Sequence, residues 1–63
     1  MVSDYDKAHV GEIIAGTGDW FTAKLLRALN DLLPYADAYN ELRLREAFPE
    51  ECALITAWWV KTS

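Results

Sequence analysis

The chain has 63 residues, 52% apolar and 13% aromatic, with six basic side chains against ten acidic ones and a formal net charge of −4. That length leaves no room for a second domain or a deep, walled active-site cavity, and that hydropathy excludes a disordered chain. A lone cysteine, Cys52, excludes an internal disulfide and a cysteine-rich zinc site. A chain of 7.2 kDa keeps roughly 4,100 Å² accessible when folded, against about 10,400 Å² unfolded. Burying the apolar share gains on the order of 95 kcal/mol at ~25 cal/mol/Å², and ordering the chain at ~1.5 kcal/mol per residue costs about as much. With so little surplus, help from a partner or a second copy is expected.

The opening, Met1-Val2-Ser3-Asp4-Tyr5-Asp6-Lys7, is polar and acidic, unlike the basic-then-apolar layout of a signal peptide. The uncharged run Ala53 to Val60 is far short of the ~20 residues that a membrane span needs. A cytoplasmic location is therefore the expectation.

Four helical segments are expected, at roughly 5–15, 19–32, 37–47 and 49–61. In the first, Val10, Ile13 and Ile14 share a face, and Gly11 costs ~1 kcal/mol relative to alanine. Gly16 and Gly18 bracket a turn, Gly16 placed to end one helix and Asp19 to cap the next. In the second, Phe21, Leu25, Leu26, Ala28, Leu29, Leu32 and Leu33 cover one broad face, with Lys24, Arg27, Asn30 and Asp31 on the other. Pro34 and Pro49 each stop the preceding helix and can sit in the first turn of the next. The third opens on Asp37 as cap and carries Glu41 and Arg45 at i,i+4, but Tyr39, Leu42, Leu44 and Phe48 scatter around its wheel. The fourth contains Ile55-Thr56-Ala57-Trp58-Trp59-Val60, which suits a strand as well, yet no other segment offers a partner strand. The expected fold is all-α, a compact bundle of three or four short helices forming one domain over residues 1–63.

The run Gly16-Thr17-Gly18-Asp19-Trp20-Phe21-Thr22-Ala23 is followed by Leu25-Leu26-Arg27, Ala36-Asp37, Asn40, Leu44 and Phe48-Pro49-Glu50-Glu51. Over residues 9–60 this pattern resembles a group of short proteins encoded by tailed phages of actinobacteria. Leu32-Leu33-Pro34-Tyr35 departs from it and lengthens the connection between the second and third helices. The group has no assigned activity or catalytic residues, so the resemblance implies a viral origin and a host-cell setting, and no site.

No constellation for chemistry stands out. His9 and Cys52 are the only residues of their kinds, with no orienting third group at a recognisable spacing, and Glu50 and Glu51 oppose a thiolate at Cys52. Neither a catalytic nor a metal-ligating residue is assigned: Asp4, Asp6 and Glu12 read as a solvated acidic face, and no cofactor is implied. Gly16-Thr17-Gly18 lacks the third glycine and the strand of a dinucleotide fingerprint. A helix-turn-helix-like nucleic-acid binder, with its turn at Leu33-Pro34-Tyr35, and an acidic DNA mimic are less favoured readings, because the net charge opposes phosphate and the ten carboxylates are interleaved with six basic residues. A membrane-surface helix would need more basic residues than Lys61.

The informative feature is aromatic placement. On the fourth wheel, Cys52, Ile55 and Trp59 form a core face with Ala53 and Val60 on its shoulder, whereas Leu54 and Trp58 fall among Glu50, Glu51 and Lys61. On the second, Trp20 projects beside Lys24, Arg27 and Asp31. Tryptophan framed by charge is typical of a protein-binding surface, so Trp58, Leu54, Trp20, Lys24, Arg27 and Lys61 form the candidate partner-binding set. The alternative is that Trp20 folds back over the Gly16–Gly18 turn and Trp58 packs on the first helix. The expected function is non-enzymatic binding of a host protein, which it inhibits or redirects. A virion or assembly component, or a self-associating homo-oligomer, is the second reading.

Overall fold

Ser3 opens the first helix through reciprocal capping. Its Oγ accepts from the Asp6 amide at 3.0 Å, and the Asp6 carboxylate accepts from the Ser3 amide at 3.1 Å. In the computed structural model, which describes every residue from Met1 to Ser63, five α-helices follow: α1 (Asp4–Ala8), α2 (Val10–Ile14), α3 (Phe21–Leu32), α4 (Ala38–Ala47) and α5 (Pro49–Thr62). A single 3-10 turn, Leu33–Tyr35, joins α3 towards α4, and there is no strand. The all-α expectation holds, and the segment from Pro49 is helix rather than strand.

The helix count exceeds the expected three or four because the first segment is broken. His9 leaves helical geometry at φ −123°, ψ 29°. Its ring stacks on Tyr5 with centroids 3.9 Å apart, and Nδ1 lies 2.8 Å from the Tyr5 carbonyl. The side chain thus competes for a backbone group that would otherwise serve only the helix.

The turn after α2 follows its glycines. The Thr17 amide donates to Glu12 O at 2.9 Å and the Gly16 amide to Ile13 O at 3.0 Å, the paired bonds that close a helix on a positive-φ residue. Gly16 has φ +125° and Gly18 φ +96°. The next helix begins two residues later than expected: Trp20, not Asp19, is the extended residue before α3, and no side chain caps it. By contrast, Asp37 caps α4 as expected, accepting from the Asn40 amide at 2.8 Å, and Pro49 occupies the first turn of α5.

Ile13, Ala23, Leu26, Leu29, Leu33, Cys52 and Ile55 form the core, with α3 running between α2 and α5. The body measures 30 × 25 × 17 Å, and its short axis is less than two helix diameters at ~10 Å each. The accessible surface, 4280 Å², is close to the roughly 4,100 Å² expected from mass. In so thin a body α3 cannot bury its whole apolar face. Phe21 is 74% exposed, Leu32 53%, and Ala28 is also open, so these expected core positions lie outside the core. On α5, Ala53 and Val60 are exposed rather than shouldering the core, while Glu51 is buried. Helix α4 buries no residue fully and leans on α5; Arg45, held within α4 by Glu41 at 2.9 Å, crosses to α5 through its Nη2, which donates to Thr56 Oγ1 at 3.2 Å.

The glycines differ in what they tolerate. A Cβ on Gly18 would lie 2.5 Å from the Trp20 ring on a backbone that L-residues avoid, whereas one on Gly11 would meet only Trp58 Nε1 at an ordinary 3.7 Å. Gly18→Ala should therefore destabilise the chain by ~1–3 kcal/mol, and Gly11→Ala should stabilise it by ~0.5–1 kcal/mol. Urea unfolding of the two variants checks both signs.

Candidate functional site

The expected partner-binding residues divide into two groups. Trp20 and Arg27 are committed to the fold. The Trp20 indole Nε1 donates to Asp6 Oδ1 at 3.1 Å, its ring meets Tyr5 edge-on with centroids 5.9 Å apart, and it covers Gly18. This is the folded-back alternative for Trp20, which nevertheless stays 39% exposed. Trp58 is half-buried beside Gly11 of the first segment, as the same alternative has it. Asp6, expected on a solvated acidic face, is instead buried, with one carboxylate oxygen on the Ser3 amide and the other on Trp20.

Arg27 faces neither Asp19 nor Asp31. Its Nη1 donates to the carbonyls of Ile13 and Thr17, each at 2.9 Å, and its Nη2 to Gly18 O at 2.6 Å. The guanidinium thereby adds a second donor to the Ile13 carbonyl, which already accepts from the Gly16 amide, and satisfies the Thr17 and Gly18 carbonyls of the turn. Lys24, three residues earlier, is exposed and forms no ion pair.

The remaining three residues do meet. Leu54, Trp58 and Lys61, at i, i+4 and i+7 on α5, line one groove of about 240 Å³ against Lys7, Val10 and Gly11 of the α1–α2 segment. Both lysines are exposed and unpaired. Leu54 also packs against the core, whereas Trp58 does not. The three indoles are used unequally: Trp20 donates to Asp6, Trp59 Nε1 donates to Asn30 Oδ1 at 2.7 Å, and the Trp58 N–H has no acceptor within the chain. Trp59 is half-buried against the core, at its edge rather than inside it. The expected split between the neighbouring tryptophans thus survives as a difference in hydrogen bonding more than in burial. Lys7 sits on α1, before the break at His9, and reaches the groove beside Val10 and Gly11 only through tertiary packing.

A second groove, of about 510 Å³, lies between the end of α3 and α4, lined by Leu32, Tyr35, Ala36, Asn40, Arg43, Leu44 and Ala47. No single helix wheel could have found it, because its walls come from two helices and the 3-10 turn.

Cys52 is buried, and its Sγ lies 3.6 Å from the Leu44 carbonyl. Burial pushes its thiol above the ordinary range; nearby Arg45 opposes that rise, and Glu51 and Glu41 add to it. A raised thiol pKa keeps the sulfur protonated and weakly nucleophilic, and any stability it lends is lost as pH climbs above the unfolded thiol's range. No three His, Cys, Asp or Glu side chains are grouped so as to hold a metal ion. No helix is long and apolar enough to cross a membrane.

The division of roles has a direct consequence. Arg27→Ala should destabilise the chain by ~1.5–3 kcal/mol, the range for charge-assisted bonds, while Lys24→Ala should stay within ~0.5 kcal/mol of the parent. Thermal melts of the two variants check this. In comparisons with known proteins, no protein-family model, no curated protein and no solved structure matches the chain.

Proposed function

We propose that the chain is a non-catalytic binding protein that grips a protein partner through the groove formed by Leu54, Trp58 and Lys61 with Lys7, Val10 and Gly11. The observation that carries this reading is the unspent Trp58 indole N–H, set on an apolar floor between two unpaired lysines. A groove of about 240 Å³ is below the ~300–1,000 Å³ of small-molecule sites. It suits one apolar side chain of a partner segment, with an acceptor for the indole and carboxylates for Lys7 and Lys61. Aromatic anchors that complete their burial only on binding are the usual centres of protein interfaces. The resemblance to phage-encoded proteins makes a host protein the partner, inhibited or redirected by occupancy of the groove.

The test uses lysate of an actinobacterial host and four baits: wild type, Trp58→Ala, Lys7→Glu combined with Lys61→Glu, and Phe21→Glu. A host protein should be retained by wild type and Phe21→Glu and lost from the other two. Trp58→Ala should remain folded, whereas Trp59→Ala should cost on the order of 3 kcal/mol, because it removes a packed indole and leaves Asn30 without its donor. Capture that is indifferent to Trp58→Ala, or no capture by wild type, rejects the proposal.

A further inference from the structure

Helix α3 has two apolar stripes, and the bundle uses one. At ~100° per residue, Phe21, Leu25, Ala28 and Leu32 fall within about 60° of arc, roughly 120° from the buried stripe of Ala23, Leu26, Leu29 and Leu33. Tyr35 continues the outer stripe through the 3-10 turn and is 91% exposed. The spacing of 4, 3, 4 and 3 residues is a heptad seam, the pattern by which helices pair with one another. Leu25 is half-buried at the edge of the core, and the rest of the seam faces outwards.

We infer that a second copy of this chain covers the seam, with the two α3 helices antiparallel about a two-fold axis between Leu25 and Ala28. Three features favour this occupant. The first is charge. Lys24 and Asp31 flank the seam on the side away from the core and form no ion pair within the chain. In the antiparallel arrangement these equivalent flanking positions face each other, so Lys24 of each copy meets Asp31 of the other, as an isologous interface requires. The second is shape. The same register sets Leu25 against Ala28, whose small side chain lets the helices approach, and Phe21 of one copy against Leu32 of the other. Leu32 forms a wall of the 510 Å³ groove with Tyr35, Arg43 and Leu44, so the exposed phenyl ring at one end of the seam enters the groove at the other end, twice. The third is area. Phe21 and Tyr35 together expose roughly 300 Å² per copy at ~150–250 Å² per aromatic side chain. Two copies therefore start from about 600 Å² of aromatic surface, and Leu32, Ala28 and the groove walls bring the total towards the ~1,200 Å² at which specific interfaces begin. The dimer is a reversible one at the lower bound of interface size, its strength set by the packing of Phe21 more than by area. It leaves the Trp58 groove of each copy free and does not rest on the function proposed for that groove.

Sedimentation equilibrium from micromolar to near-millimolar concentration tests the inference. Wild type should form a dimer with a micromolar Kd. Phe21→Glu, which places an acidic residue in the first turn of α3 where a helix favours it, should keep the helical circular dichroism spectrum. It should weaken the dimer roughly thirtyfold or more, the loss expected of a hot-spot aromatic. Lys24→Glu should weaken it about tenfold by setting like charges together twice, and adding Asp31→Lys should restore it. A wild type that stays monomeric to the highest concentration overturns the inference. So does a dimer indifferent to Phe21→Glu, or a Lys24→Glu defect that Asp31→Lys fails to repair.

Discussion

Three backbone carbonyls, from Ile13, Thr17 and Gly18, converge on the single guanidinium of Arg27. Much of the architecture depends on that convergence. The α1–α2 segment is short, and five-residue helices have little ladder of their own to hold them. Arg27 fixes the end of α2 and the glycine turn onto the middle of α3, so that Ile13 is presented to Leu26, Leu29 and Ile55 in the core. The turn in turn carries Gly18, whose missing side chain gives the Trp20 ring its seat, and the Trp20 indole reaches back to the buried Asp6 carboxylate. Asp6 closes the circuit by bonding the Ser3 amide at the start of α1. The N-terminal third is thus held by charge-assisted and indole hydrogen bonds in addition to the burial of Val2, Val10 and Ile13.

These ties decide which groups remain free to act. Arg27 and Trp20 have the composition of a binding hot spot, but their donors are satisfied internally. Trp59 is committed likewise through Asn30. What is left is Trp58, beside Gly11, with unpaired Lys7 and Lys61 on the same groove. Along α3 and the 3-10 turn, the thinness of the bundle leaves Phe21, Leu32 and Tyr35 uncovered. The same shortage of material that forces polar ties in the N-terminal third thus leaves two surfaces, one small and lysine-rimmed, one larger and aromatic.

The sequence disclosed what local chemistry controls. Asp37 as a cap, Gly16 as a helix end, Pro49 as a helix start and the Glu41–Arg45 pair each depend on neighbours within about one helical turn, where spacing suffices. Trp20, which lies just before α3, and Arg27 spend donors on acceptors nine to fourteen residues away in sequence, which spacing along one helix does not reveal. A wheel records direction and says nothing of what waits there. The break at His9 has a different origin: it needs the Tyr5 ring and carbonyl to act on one imidazole together, which periodicity cannot express. The broad apolar face of α3 was legible as a whole, but its division into a buried and an open stripe follows from how few helices surround it. Of the candidate site, Leu54, Trp58 and Lys61 could be read from one helix, and Lys7 required the tertiary packing.

The central claim is that two of the three indoles are committed to the fold and one is held in reserve. Hydrogen exchange of the indole N–H groups, followed by proton–nitrogen correlation spectra with each tryptophan assigned by substitution, tests it most directly. The account predicts slow exchange at Trp20, protected by Asp6, and at Trp59, protected by Asn30, with fast exchange at Trp58. An indole of Trp58 as protected as the other two, or one of Trp20 or Trp59 exchanging as freely as Trp58, would contradict it.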